Sequence, residues 1–278
     1  MRLRRRMRWS WVSELPEKAE FFIQSRNLAP KSEQFYRKVL KQFFKFVKKE
    51  DVSQEDVLRF VVHLKQRGLS PRSMAMYIMV VRSYLKFLDL PTQKIKLPTI
   101  PIVFKKALNE DELKSFFKVK LRDDYKIAFR LMAFSGMRIG EVLNLKVDDI
   151  DVENRTIKVF GKRLKERMVI IDEVTAELLK EYLKDKKGKV FKKLYERKVQ
   201  YKIKTVAKRA GIKIWKEVTP HILRHTFSAL WEKHGGTRGN LKYLLGHRPD
   251  TTDTYATDIR ELRNMYDRVM NPIAKEIG

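Results

Sequence analysis

His221-Ile222-Leu223-Arg224-His225 sets two imidazoles and a guanidinium within little more than one turn of a predicted helix. Thr219 is placed to cap that helix and Pro220 to occupy its first turn. Leu223, Phe227, Leu230 and Trp231 form one stripe along it, and His221, Arg224, His225 and Ser228 another. Donors of this kind near the positive end of a helix suit a phosphate. His221 and His225 also have the four-residue separation of paired metal ligands. The Glu that zinc proteases hold between two such histidines is absent, however, and the chain has no Cys. The expectation is a phosphate site without a metal.

A second cluster is Ser135-Gly136-Met137-Arg138-Ile139-Gly140-Glu141, in which Gly136 closes one helix and Arg138 opens the next. At about 100° per residue, Arg138 falls within the arc of Ile139, Val142 and Leu145, so its guanidinium is expected to be partly buried. Glu141, three residues on, is its natural partner. A purely structural Arg–Glu pair is the alternative. The segment Gly161-Lys162-Arg163-Leu164-Lys165-Glu166-Arg167 places several cations at a hairpin tip, with Lys162 directly after the glycine. By itself that is an ordinary solvated turn. His247 stands just beyond the glycine of Leu244-Leu245-Gly246-His247, where bonding to terminal carbonyls is a sufficient role. Tyr255 lies in a polar stretch, Thr251-Thr252-Asp253-Thr254-Tyr255, with no apolar stripe to occupy it. Tyr266 belongs to the row Ile259, Leu262, Tyr266 and Val269, so packing accounts for it.

These residues sit in a chain of 278 residues carrying 62 Lys+Arg against 34 Asp+Glu, a net charge of +28. The excess is +14 in residues 1–105 (23 basic, 9 acidic) and +14 in the remainder (39 basic, 25 acidic). An imbalance spread over both parts suits a long polyanion, whose counterions are released as Lys and Arg replace them. An abundance of Lys and Glu without Cys also describes a thermophile surface, which explains many charges but not so unequal a balance of signs. Without Cys there is no disulfide framework and no thiolate chemistry. No run approaches the ~20 apolar residues of a membrane span, and the Arg-rich start leads into no apolar segment of the secretory kind. A cytoplasmic, nucleoid-associated protein with no membrane partner is expected.

The elements that must position the chemistry fall into two regions of a mainly α protein with a small antiparallel β-sheet (α+β). After a basic tail over 1–12, residues 13–90 form a predicted bundle of four helices. A weak one covers Glu14 to Ser25, and Tyr36, Leu40, Phe43 and Val47 mark the second. Ser53 with Asp56 forms a capping box for the third, which Gly68 ends; Ser70-Pro71 starts the fourth, with Met74, Ile78, Val81, Leu85 and Leu88 as its stripe. Pro91, Pro98 and Pro101 break the pattern over a basic linker, 91–106. Region 107–271 is mixed. Helical patterns cover about Glu110–Phe117, Asp124–Ser135 and Arg138–Leu145, and strands at Thr156–Phe160 and Arg167–Ile171 flank Gly161. Helices return over about Thr175–Lys184, Tyr195–Ala210, Pro220–Trp231, Gly239–Leu245 and Ile259–Met270. A short tail, 272–278, completes the chain. Candidate DNA-contacting cations are Lys41, Lys45, Arg72, Arg82, Lys105, Lys106 and Arg163.

The ordered set Arg138, Lys162, His221-x-x-Arg224, His247 and Tyr255 resembles the tyrosine recombinases, the phage integrase or Xer family, over about Ala107 to Met270. The four-helix region resembles their core-binding, SAM-like domain, and the simple two-region layout resembles the Xer type. One departure is that His247 and Tyr255 are eight residues apart, where nine is typical of the family. The resemblance implies a site-specific DNA recombinase, serving chromosome dimer resolution or the integration and excision of an element. Tyr255 would attack a phosphodiester, leaving a 3′-phosphotyrosyl link and a free 5′-hydroxyl. Arg138 and Arg224 would clamp the non-bridging oxygens, Lys162 would protonate the leaving oxygen, and His221 and His247 would assist. Glu141 would brace Arg138. Bond energy is conserved, so no cofactor is implied. Exchange between two duplexes requires four sites and hence a homotetramer on DNA, while the free protein is compatible with a monomer. The tail from Met265 would pack against a neighbour. Two rival readings share many of these residues: DNA relaxation of the type IB topoisomerase kind, and a catalytically inactive architectural DNA-binding protein.

Overall fold

The computed structural model describes residues 14–101, 106–160, 166–247 and 258–278. The chain divides into two compact units, up to residue 103 and from residue 104 on.

The first unit is all helical: α1 (Glu17–Gln24), α2 (Pro30–Val47), α3 (Gln54–Gln66) and α4 (Pro71–Phe87). Local chemistry sets their limits. Ser53 accepts the Asp56 amide while the Asp56 carboxylate takes the Ser53 N–H, which is the expected capping box. Ser70 caps α4, and Pro71 fills the position where a missing N–H costs nothing. Phe22, Leu40, Phe43, Phe60, Ile78, Val81, Tyr84 and Leu85 are all buried in one core, each large side chain contributing roughly 1.5–3 kcal/mol of burial. Leu88, at the end of the expected α4 stripe, is only half-buried. The segment after α4 is partly anchored: Ile95 joins the same core and Thr92 is buried beside it.

The second unit begins with α5 (Glu110–Lys118), α6 (Asp123–Phe134) and α7 (Ile139–Asn144). A three-stranded antiparallel sheet follows in the order β1 (Ile150–Asp151), β2 (Thr156–Phe160) and β3 (Glu166–Ile170). Its register pairs Thr156 with Ile170 and Phe160 with Glu166. Then come α8 (Glu173–Leu183), α9 (Glu196–Arg209), α10 (Pro220–Lys233), α11 (Arg238–Leu244), α12 (Ile259–Val269) and α13 (Asn271–Ile277). Strand β1, only two residues long, has no period-2 pattern and was invisible to periodicity. The terminal residues expected as a tail lie in α13, where Pro272 occupies the first turn and Ile273, Ala274 and Ile277 are buried. Within this chain α13 packs on its own unit, and Arg130 donates to the Ala274 carbonyl.

Helix α6 is the central element, buried at every position from Ile127 to Phe134, and α10 packs along it. The pairing brings the C-terminal end of α6, with Gly136 and Arg138 just beyond, against the first turns of α10. Arg130, buried in α6, is held by the Asp172 carboxylate at 2.6 Å and the Thr175 hydroxyl at 2.9 Å. Thr226 of α10 accepts the Leu108 amide at 2.9 Å, fixing the start of the unit to the same helix.

Candidate active site

Arg224 is buried, projecting from α10 toward the α6–α7 turn. Its guanidinium donates to the carbonyl oxygens of Gly136 and, at 2.7 Å, of Leu245. Both acceptors are neutral, and among the described residues no carboxylate is hydrogen-bonded to it. Burial above all, then the charges of Arg138 and Arg167, pulls its pKa down to about 9. It therefore remains a cation at neutral pH, its hydrogen bonds among the described residues going to neutral carbonyls while the nearby Glu141 carboxylate favours its charged form.

Gly136 makes this geometry attainable. Its φ of +62° is left-handed, and a Cβ there would lie 2.6 Å from Cδ1 of Phe227 and 2.9 Å from a methyl of Leu245. Only glycine allows α10 and the end of α11 to approach this turn so closely.

Arg138 occupies the N-cap position of α7, with 38% of its side chain exposed. The Glu141 carboxylate accepts its backbone N–H at 2.8 Å and its guanidinium at 3.0 Å. Arg138 is thus half-buried and braced by Glu141, as the helical arc suggested. Burial pushes the Glu141 carboxyl up, but bonds to Arg167 and Arg138 outweigh it and hold the group below the usual carboxylate range.

His221 is exposed on the first turn of α10, and His225 and Ser228 are half-buried further along the same side as Arg224. His247 is exposed beyond α11, its backbone N–H bonded to the Lys242 carbonyl at 2.9 Å. That bond and the one from Gly246 to Tyr243 close the helix, with Gly246 at φ +64°. The structure therefore gathers Arg138, Glu141 and Arg224 and sets the His221 and His247 boxes on elements that adjoin them. Lys162, Arg163, Lys105 and Tyr255 lie outside the described residues. Tyr266 is fully buried; its hydroxyl donates to the Phe134 carbonyl at 2.7 Å, and burial drives its pKa well above the usual value. Tyr243 is half-buried on α11.

Two features are not evident from the sequence pattern alone. Arg167, read as a hairpin cation at the start of a strand, is buried and forms two bonds to Glu141, at 2.8 and 2.9 Å. The available signal was its period-2 alignment with Val169, which places a cation on the inner face of β3. On α9, Arg197, Lys198, Lys204 and Lys208 are exposed around Tyr201, itself 75% exposed. Of the candidate DNA-contacting cations, Lys41, Lys45 and Arg72 are exposed and Arg82 is half-buried. Lys106 is exposed and pairs with Glu217 at 2.5 Å.

A helical SAM-like unit, followed by a mixed unit with two arginines converging beside two histidine boxes, defines a tyrosine recombinase, a DNA strand transferase. The sequence matches the phage integrase family over residues 106–260 and the phage integrase N-terminal SAM-like domain over residues 19–90. The chain belongs to the phage integrase family and is a tyrosine site-specific recombinase. It is 32% identical over 254 residues to the tyrosine recombinase XerA of Saccharolobus solfataricus, covering 85% of this chain and 86% of that protein. To XerA of Thermococcus kodakarensis it is 28% identical over 274 residues, 92% of this chain and 95% of that one. Two solved structures share the fold. XerH bound to its difH substrate has a TM-score of 0.64 at 23% identity, over 89% of this chain and 82% of that chain. A lambda integrase dimer bound to a core site has a TM-score of 0.69 at 17% identity, over 90% and 98%. These matches do not favour the topoisomerase or inactive architectural readings. Among the described residues no helix is long and apolar enough to cross a membrane.

Proposed function

We propose that this recombinase cleaves and rejoins DNA through a 3′-phosphotyrosyl intermediate formed by Tyr255. The observation that carries the reading is the buried guanidinium of Arg224, hydrogen-bonded among the described residues to carbonyls and close enough to Arg138 to feel its charge. A phosphodiester supplies an anion to which this cation can hydrogen-bond directly. As the phosphorus becomes five-coordinate its equatorial oxygens gain negative charge, so Arg138 and Arg224 bind the transition state more strongly than the ground state. Tyrosine, with a pKa near 10, is only about 0.1% ionised at neutral pH, so its proton must be taken as it attacks. His221 and His247 are assigned to that proton and to the phosphate oxygens. Lys162 is assigned to the leaving 5′-oxygen. Attack by a 5′-hydroxyl of a second duplex reverses the step and completes exchange. No external energy source enters, because the phosphodiester energy is retained in the phosphotyrosyl bond.

Lys41, Lys45, Arg72 and Arg82 on the helical unit, with Lys105, Lys106 and Arg163 on the second, are the proposed phosphate contacts, joined by the exposed cations of α9. Aromatic Tyr201 among them suits a nucleic-acid surface. Two duplexes contribute four strands to be cut, which supports a homotetramer on synapsed DNA. Lambda integrase, a structural neighbour at 17% identity, has been solved as a tetramer bound to a Holliday junction. The protein would act as a cytoplasmic, nucleoid-bound enzyme.

The test is incubation with nicked duplexes carrying candidate sites, in EDTA, followed by a denaturing gel. A protein–DNA adduct that Tyr255→Phe abolishes is the expected result. An adduct that persists in that variant would assign the nucleophile elsewhere, with Tyr243 next to be replaced.

A further inference from the structure

Glu141 is unusual in serving two guanidiniums at once. Its Oε1 accepts from Arg138 at 3.0 Å and from Arg167 at 2.8 Å; its Oε2 accepts from the Arg138 backbone at 2.8 Å and from Arg167 at 2.9 Å. Arg138 meets the carboxylate with a single guanidinium nitrogen, whereas Arg167 meets it with the full two-pronged fork. Arg167 is itself fixed from the other side. Its Nε donates to the Leu244 carbonyl at 3.0 Å, and its side chain lies so near Gly246 that a Cβ there would stand 2.9 Å from Cδ. Three of its five N–H donors are thereby engaged within the protein.

The charge arithmetic gives this contact a consequence for the reaction. A carboxylate paired with Arg138 alone would neutralise the cation that the phosphate needs. With Arg167 sharing Glu141, the group of Arg138, Arg167, Arg224 and Glu141 carries three positive charges and one negative. The site keeps a net positive field while Arg138 is still held in one orientation. The short distances and the near-complete covering of both Arg167 and Glu141 side chains, each 7% exposed, place the pairing where water screens it least.

The geometry points to Arg167 as a positioning residue that holds and neutralises Glu141, leaving Arg138 oriented and electrostatically free for the scissile phosphate. The inference rests on the phosphotyrosyl mechanism above and adds a residue to it. In this role Arg167 acts through Glu141, and the Leu244 carbonyl keeps it in place. Lysine is a poor substitute, because one ammonium cannot form the paired bonds of a planar fork.

The experiment compares wild type, Arg167→Met, Glu141→Gln and the double variant, recording DNA binding, adduct formation and its pH profile on nicked duplexes. Arg167→Met is expected to bind DNA within about threefold of wild type but to form adduct about 10- to 100-fold more slowly, the scale for partners that orient a functional ligand. With the fork gone, burial pushes the Glu141 carboxyl up, so an acid limb enters the Arg167→Met profile and is absent from the double variant. The double variant is expected to be no slower than Glu141→Gln alone, since Arg167 has then lost the group it acts on. Wild-type rates in Arg167→Met, slowing fully explained by weaker DNA binding with an unmoved profile, or equal slowing in the Glu141→Gln background would each overturn the proposal. Should Arg167→Met fail to fold, Arg167→Lys carries the same comparison. Amide exchange over residues 141–145 and 244–247, measured without DNA, reads the link independently. Faster exchange at both segments in the variant supports it, even if the wild-type protein forms no adduct and the phosphotyrosyl mechanism fails. Unchanged exchange at both segments overturns it.

Discussion

Arg224 of α10 donates to the carbonyl oxygen of Gly136, 88 residues earlier in the chain. The contact joins the two arginine boxes through a backbone atom, because Gly136 ends α6 and Arg138 opens α7. Whatever displaces the Gly136 turn also displaces Arg138, so the two guanidiniums share one mechanical support.

Gly136→Ala should therefore damage both fold and chemistry. The left-handed φ costs roughly 1–2 kcal/mol for a residue with a Cβ, and contact with Phe227 and Leu245 adds roughly 1–3 kcal/mol of overpacking. Gly140→Ala is the control, since a Cβ there meets nothing within 4 Å and alanine favours the helix by up to about 1 kcal/mol. Urea unfolding should show a marked loss of stability for the first and none for the second.

Arg224→Gln should separate stability from activity. A buried cation without a carboxylate partner contributes little to folding, and the amide retains a donor for one carbonyl. Stability by chemical denaturation is expected to change by less than about 1 kcal/mol, whereas adduct formation falls by about 10²–10³-fold, the scale for losing one charge-stabilising donor. Parallel loss of both would make Arg224 a structural residue.

Tyr266→Phe should do the reverse. Removing a buried hydroxyl that donates to Phe134 costs about 0.5–1.5 kcal/mol in thermal or urea unfolding. Adduct yield should be unaltered, because a tyrosine held in the core has no path to a phosphate.

The Glu141 carboxyl lies below its ordinary value in the folded state. Its stabilising contribution is thus complete above the unfolded pKa, near 4.3, and is lost as pH falls through the lower folded value. Glu20, Asp56, Glu110, Asp151 and Glu173 are lowered in the same direction, so the test is a difference. Between pH 6 and 3 the unfolding free energy of Glu141→Gln should fall less steeply than that of wild type. Identical slopes would mean that the carboxylate gains nothing from its two guanidiniums.

Much of the molecule is written in local patterns. The Ser53–Asp56 box, Ser70-Pro71 and Thr219-Pro220 start their helices where short-range hydrogen bonding and proline geometry place them. The apolar stripes of α4 and α10 follow from a period of 3.6, and Arg138 and Glu141 meet because three residues make nearly one turn. The order of the boxes was also sufficient to identify the family. Other features depend on residues distant in sequence. β1 is held by pairing with β2, and α13 by burial against its own unit. Arg224 meets Gly136 only because α10 packs along α6. Arg167 illustrates the limit most clearly. In sequence it is one cation among several around a hairpin; tertiary structure turns it inward beneath Glu141 and the end of α11. A one-dimensional pattern records which face of a strand a side chain occupies, but the partner across that face is set by how distant elements pack.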